Sequence, residues 1–168
     1  VIDRSGSMQG RPLDEAKRCA SMIINNLGPS DRASIIAYDD RVDVLVPTRP
    51  VDDQLHFLRA IRSIDDGGRT ALHSGWLRGA EQAAVGQSAG SISRVLLLSD
   101  GQANVGITEI DRIASQCATI AEEGVTTSTY GLGHHFNEDL MVAMARAGLG
   151  QGYYGESAED LEDPFREE

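Results

Sequence analysis

Lysine is almost missing from this chain: Lys17 is the only one among 168 residues, so chemistry that needs an amine has a single side chain to draw on. Cysteine is scarce too. Cys19 and Cys117 are too few for a disulfide-stapled scaffold, and each falls on the apolar stripe of a separate helical run, where a buried free thiol is expected. Basic charge is in deficit, with 15 basic against 26 acidic residues and a net charge of −11. A surface this anionic repels phosphate backbones and acidic lipid heads, which excludes nucleic acid as an expected partner and favours cations or basic protein surfaces. Long apolar runs are absent as well. None reaches the roughly 18 residues that span a bilayer, so no direct membrane insertion by this domain is expected; no signal peptide is visible, which means little for a chain that reads as cut from a longer one.

What remains is ordinary globular material, 40% hydrophobic and 24% charged, in an 18.0 kDa chain that suits one domain. Short β-branched runs alternate with long helical stretches. That alternation predicts an α/β fold: a doubly wound, mostly parallel central sheet with helices on both faces. Val1-Ile2 reads as the stub of a first strand. Leu13, Ala16, Cys19, Ala20, Ile23, Ile24 and Leu27 recur at helical steps from Pro12 until Gly28-Pro29 stops them. The runs 33–38 and 42–46, joined by Asp39-Asp40-Arg41, predict a hairpin that adds one antiparallel edge strand. Helices are expected around Leu55–Ile64, over 71–85, around Ile110–Ala121 and over 137–147. Val95-Leu96-Leu97-Leu98 has the continuous apolar character of a strand buried on both faces, at the sheet's centre. A strand over 125–130 closed by Gly131-Leu132-Gly133, a short one at Tyr153-Tyr154 and a last helix near 158–161, capped by Ser157 with Asp160, complete the prediction.

Open α/β sheets bind ligands beyond the carboxyl ends of their strands. Three such ends are rich in oxygen: Asp3-Arg4-Ser5-Gly6-Ser7, Gly67-Gly68-Arg69-Thr70 and Ser99-Asp100-Gly101. Asp3, Ser5, Ser7, Thr70 and Asp100 together form an all-oxygen donor set. Hard donors suit magnesium, manganese or calcium and argue against zinc or copper. On extended backbone Asp3, Ser5 and Ser7 would share one face, with Gly6 allowing a sharp turn between the serines. The blander possibility is that they only cap the following helix.

With these three segments in order and at strand ends, the chain resembles the von Willebrand factor type A (VWA) domains. Their metal-ion-dependent adhesion site uses D-x-S-x-S, a later threonine and a later aspartate, matched by Asp3-Arg4-Ser5-Gly6-Ser7, Thr70 and Asp100. Asp100-Gly101-Gln102-Ala103-Asn104-Val105-Gly106, Tyr130-Gly131-Leu132-Gly133 and Phe136-Asn137-Glu138-Asp139-Leu140-Met141 are similar to bacterial members and to inter-alpha-trypsin inhibitor heavy chains. The resemblance implies a Rossmann-like sheet with magnesium at its top, bound directly by Ser5 and Ser7, and directly or through water by Asp3, Thr70 and Asp100. It also implies a non-enzymatic adhesion or assembly module that meets an acidic side chain of a protein partner through the ion. Residues 1–168 are expected to be a single VWA domain cut from a longer protein, with a truncated first strand. Some family members couple the metal site to a shift of the last helix, here Ser157 to Phe165, which Pro164 interrupts.

Other candidates read more simply. Side chains of His134 and His135 diverge on extended backbone and lack a third ligand, so a solvated loop is expected. His56 and His73 read as surface or boundary residues, and Trp76 as packed. No dinucleotide or P-loop fingerprint and no G-x-S-x-G elbow occurs. A magnesium phosphatase with Asp3 as nucleophile would carry a second aspartate where Ser5 stands and a lysine near the phosphoryl group. A further alternative is an intramolecular scaffold or assembly domain in which the metal is structural or absent. Partner identity and oligomeric state are open at this stage.

Overall fold

The computed structural model describes residues 1–133, 136–155, 157 and 159–161. Along the chain they form β1 (Ile2–Asp3), α1 (Arg11–Asn26), β2 (Arg32–Tyr38), β3 (Val42–Pro50), α2 (Gln54–Arg62), α3 (Leu72–Val85), β4 (Ser93–Ser99), α4 (Ile110–Glu122), β5 (Val125–Leu132), α5 (Glu138–Ala147) and β6 (Leu149–Gly155). One six-stranded sheet has the order β3-β2-β1-β4-β5-β6. Only β3 runs antiparallel, at the edge beside β2, as the hairpin signal predicts. The expected doubly wound α/β architecture is therefore the observed one. Among the described residues no helix is long and apolar enough to cross a membrane.

The apolar run of β4 shows how the sequence builds two layers. Successive side chains of a strand point to opposite faces, so Leu96 and Leu98 join α1 and α2 while Val95 and Leu97 join α3, α4 and α5. Leu13, Ala16, Cys19, Ala20 and Ile24 of α1 meet Phe57 and Ile61 of α2 on the first face. Trp76 of α3 packs with Ile113 and Cys117 of α4 and Leu140 and Met144 of α5 on the second. Its indole is fully buried and donates to Thr127 Oγ1 at 2.9 Å, as its reading as a packed aromatic requires. Both cysteines are buried and free.

Several local expectations are corrected. Ser7 is not on extended backbone, because Gly6–Met8 forms a 3-10 turn. Gly6 is not at a positive φ, and a Cβ there would meet Gly68 O at an ordinary 3.5 Å, so the turn does not require a glycine. β5 continues through Gly131 to Leu132, and it is Gly133, at φ 89°, that turns the chain out of the sheet. The last strand runs from Leu149 rather than from Tyr153. Its glycines hid it, yet one is demanded there: a Cβ on Gly150 would lie 2.1 Å from Thr127 O. His73 is buried at 7% exposure, with Nε2 against Gln116 Oε1 and the ring near Trp76. His134, His135 and the segment from 162 onward lie outside the described residues. Before them, Ser157 and Asp160 do form the acidic capping pair, at 3.0 Å between Ser157 Oγ and Asp160 Oδ2, ahead of a 3-10 turn over Glu159–Leu161.

Candidate metal centre

The parallel register brings the strand ends level. Ile2 pairs with Ala37 on one side and Leu98 on the other, and Asp3 pairs with Tyr38. Asp3, Tyr38 and Ser99 therefore end their strands at one point on the sheet's upper edge, all fully buried. Asp3 Oδ1 accepts the Ser5 N–H at 2.9 Å, while Oδ2 accepts Ser99 Oγ–H at 2.6 Å and Tyr38 O–H at 3.1 Å. The 3-10 turn carries Ser7 back so that its Oγ lies 3.3 Å from Ser5 Oγ. The two hydroxyls thus converge by a turn and not by strand alternation. None of Asp3, Ser5 or Ser7 caps α1, whose N-cap is Gly10 at φ 79° with Pro12 in the first turn.

Two further loops close on this one. Gly6 N–H donates to Gly68 O at 2.8 Å and Gly67 N–H to Arg4 O at 2.7 Å, which ties the turn to the segment that carries Thr70. Thr70, 2% exposed, donates its N–H to Asn104 Oδ1 at 2.9 Å, and its carbonyl accepts the N–H groups of Asn104 and Val105 at 3.0 and 3.1 Å. Asp100 is 6% exposed; its Oδ1 accepts the Gln102 N–H at 3.0 Å, and its carbonyl accepts the Asn137 N–H at 2.7 Å. Of the five residues predicted for the site, Asp3, Ser5 and Ser7 are joined directly by hydrogen bonds or contact. Thr70 and Asp100 stand on the two neighbouring loops.

Electrostatics separates the centre from its rim. Burial pushes the Asp3 carboxyl above its ordinary range and the like charge of Asp100 adds to this, although hydrogen bonds from Ser5 and Ser99 pull the other way. Arg4, next in sequence, is turned to the rim, with Nε 3.5 Å from Asp39 Oδ2 and a second contact to Asp43. Asp39 Oδ1 accepts the Arg41 N–H at 2.8 Å and Oδ2 the Gly68 N–H at 3.3 Å. Burial opposes its ionisation, but these N–H groups and the Arg4 guanidinium outweigh burial and hold its carboxyl below the usual value. Asp39 leaves no room beside it. A Cβ on Gly67 would lie 1.9 Å from its Oδ2.

The residues fit a hard divalent cation: two buried carboxylates of like sign, hydroxyls turned together that cap no helix, and the Arg4 guanidinium engaged at the rim. Among the described residues no group of three or more His, Cys, Asp or Glu side chains is placed to hold a metal, so the candidate donor set includes hydroxyls. Reading the sequence missed Tyr38 and Asp39. The available signal was their position at the end of a strand parallel to β1.

A doubly wound sheet with oxygen donors gathered at the ends of its central strands defines a class of Rossmann-like domain. Within it, the chain matches the von Willebrand factor type A domain over residues 1–167 and belongs to that family. It is 32% identical over 167 residues to the uncharacterized protein sll0103 of Synechocystis sp., covering 99% of this chain and 39% of that protein. It is 28% identical over 176 residues to human inter-alpha-trypsin inhibitor heavy chain H3, covering 96% of this chain and 19% of that one. The chain thus spans two fifths or less of these relatives. The solved von Willebrand factor type A structure from Catenulispora acidiphila superposes with a TM-score of 0.81 at 20% identity, over 99% of this chain and 40% of that one. Proximal thread matrix protein 1 from the mussel byssus, solved with a zinc-occupied adhesion motif, gives 0.76 at 16% identity, over 98% and 44%. Domains of this family are generally non-enzymatic interaction modules, and their adhesion sites bind divalent metals.

Proposed function

We propose that this domain binds a partner protein through a divalent cation, magnesium by preference, held by Asp3, Ser5, Ser7, Thr70 and Asp100, with the partner contributing an acidic side chain. The observation that carries this reading is the pair of buried carboxylates, Asp3 and Asp100, of which the second adds to the cost of ionising the first. When bound, the cation supplies positive charge that neutral hydroxyls leave partly uncompensated, so a carboxylate from outside is attracted to it. Asp3 sets the Ser5 backbone through the 2.9 Å hydrogen bond, and the 3-10 turn presents both serine hydroxyls to the same side.

The proposed role is binding and involves no catalytic step. Lys17, the one amine that could steady a transferring phosphoryl group, lies on α1 and donates to the Arg62 carbonyl of α2. The mussel protein's zinc is a reason to include zinc beside magnesium, manganese and calcium in any titration.

Calorimetric titration with magnesium tests the site, with affinity expected between about micromolar and millimolar for an open centre with few carboxylates. A Ser5→Ala, Ser7→Ala double variant should lose the binding. A peptide with a central Asp should bind the magnesium form more tightly than its Asn counterpart. Equal uptake of magnesium by wild type and double variant would remove the site assignment.

A further inference from the structure

We propose that Tyr38-Asp39, the tip of β2, is the positioning element of this centre, although neither residue is among the proposed cation ligands. These two residues grip all three loops that carry the donors. Tyr38 O–H lies 3.1 Å from Asp3 Oδ2 and 3.2 Å from Ser99 Oγ. Ser99 Oγ accepts the Gly101 N–H at 2.8 Å, which directs its own proton to Asp3 Oδ2 and joins the first loop to the one that bears Asp100. Asp39 holds the remaining loop on both sides of Thr70, through Gly68 N–H on its carboxylate and Ala71 N–H on its carbonyl at 2.8 Å. Its contact with Arg4 returns to the first loop.

The tip is itself fixed. Tyr38 is fully buried, and its ring lies so close to α3 that a Cβ on Gly75 would come within 2.4 Å of it. A polar hydroxyl in that position, aimed at a carboxylate, sets which way Asp3 faces, as partners behind a metal ligand do. The end of β2 therefore holds the geometry that the three motif segments supply.

This inference rests on the cation-binding reading above, and one series of measurements separates the two. Tyr38→Phe, Asp39→Asn, Ser99→Ala and Ser99→Thr are each titrated with magnesium and melted in EDTA. Tyr38→Phe, Asp39→Asn and Ser99→Ala should weaken magnesium binding by at least about tenfold. Ser99→Thr, which keeps the hydroxyl, should stay near wild type. In EDTA the Tyr38→Phe melting temperature should stay within about 4 °C of wild type, because a merely structural role would lower stability with little change in affinity. Asp39→Asn decides the matter should Tyr38→Phe not fold, and the pair at Ser99 checks the link between the first loop and the one that bears Asp100. Folded variants with wild-type magnesium affinity overturn the positioning role; a wild type that takes up no magnesium overturns the reading beneath it.

Discussion

Asp3 and Asp39 are both buried aspartates at the ends of neighbouring parallel strands, 0% and 7% exposed, yet their surroundings act on them in opposite directions. Asp39 has Arg4 and two backbone N–H groups, and its carboxyl is held below the usual range. Asp3 has hydroxyls, one N–H and the like charge of Asp100, and its carboxyl is pushed up. The rim charge has a permanent partner in Arg4, and the central one has none of opposite sign beside it among the described residues, which is where the proposed cation would stand. The difference between the two is what the proposed cation site would require.

The comparison breaks most severely if the centre never takes up a cation. Magnesium at a hundredfold excess over its dissociation constant should stabilise wild type by about 2.7 kcal/mol, and Asp100→Ala should abolish that gain in urea titrations followed by circular dichroism. At the rim, Arg4→Met should cost about 2 kcal/mol without magnesium, because it strands the partly buried Asp39 carboxylate, and the same urea titrations read it.

A pH series sharpens the contrast further. A carboxyl raised in the folded state favours folding below its unfolded value and loses that contribution as pH rises through the folded value, which is the case for Asp3. Asp39, lowered, contributes above its unfolded value and loses the contribution as pH falls through the folded one. In EDTA, the stability difference between Asp3→Asn and wild type should therefore narrow as pH drops from neutrality toward the ordinary aspartate value of 3.8, and the difference for Asp39→Asn should persist over the same range. The smallest effect belongs to Asp43, half exposed beside Arg4: Asp43→Asn should change stability by under about 1 kcal/mol and less at high salt.

The layers were legible in the sequence because they depend on period. The helical spacing of Leu13 to Ile24 and the unbroken Val95–Leu98 run each name their own partner face, and both hold in the structure. Two of the oxygen-rich loops were legible because they follow strands, β1 and β4; the Thr70 segment, expected at a strand end as well, instead joins α2 to α3. Tyr38 was not, since its contact with Asp3 depends on the register of β1 against β2, strands separated by a whole helix. Ser7 was misplaced because a two-residue alternation is shared by extended chain and by this turn, and only the hydrogen bonds from Met8 and Gln9 to Ser5 and Gly6 decide between them. β6 is longer than expected because Gly150 and Gly152 weaken the strand pattern, Gly150 at a position where Thr127 of the neighbouring strand crowds it.

The central claim is that Asp3 is a carboxylate held for a cation rather than for the fold. Thermal melting of wild type and Asp3→Asn, each in magnesium and in EDTA at neutral pH, tests it most directly. In EDTA the variant should melt no lower than wild type, since it loses a buried charge that Asp100 opposes, while magnesium should raise the wild-type midpoint and leave the variant's nearly unchanged. A variant that melts well below wild type in EDTA and responds to magnesium as wild type does would contradict the account.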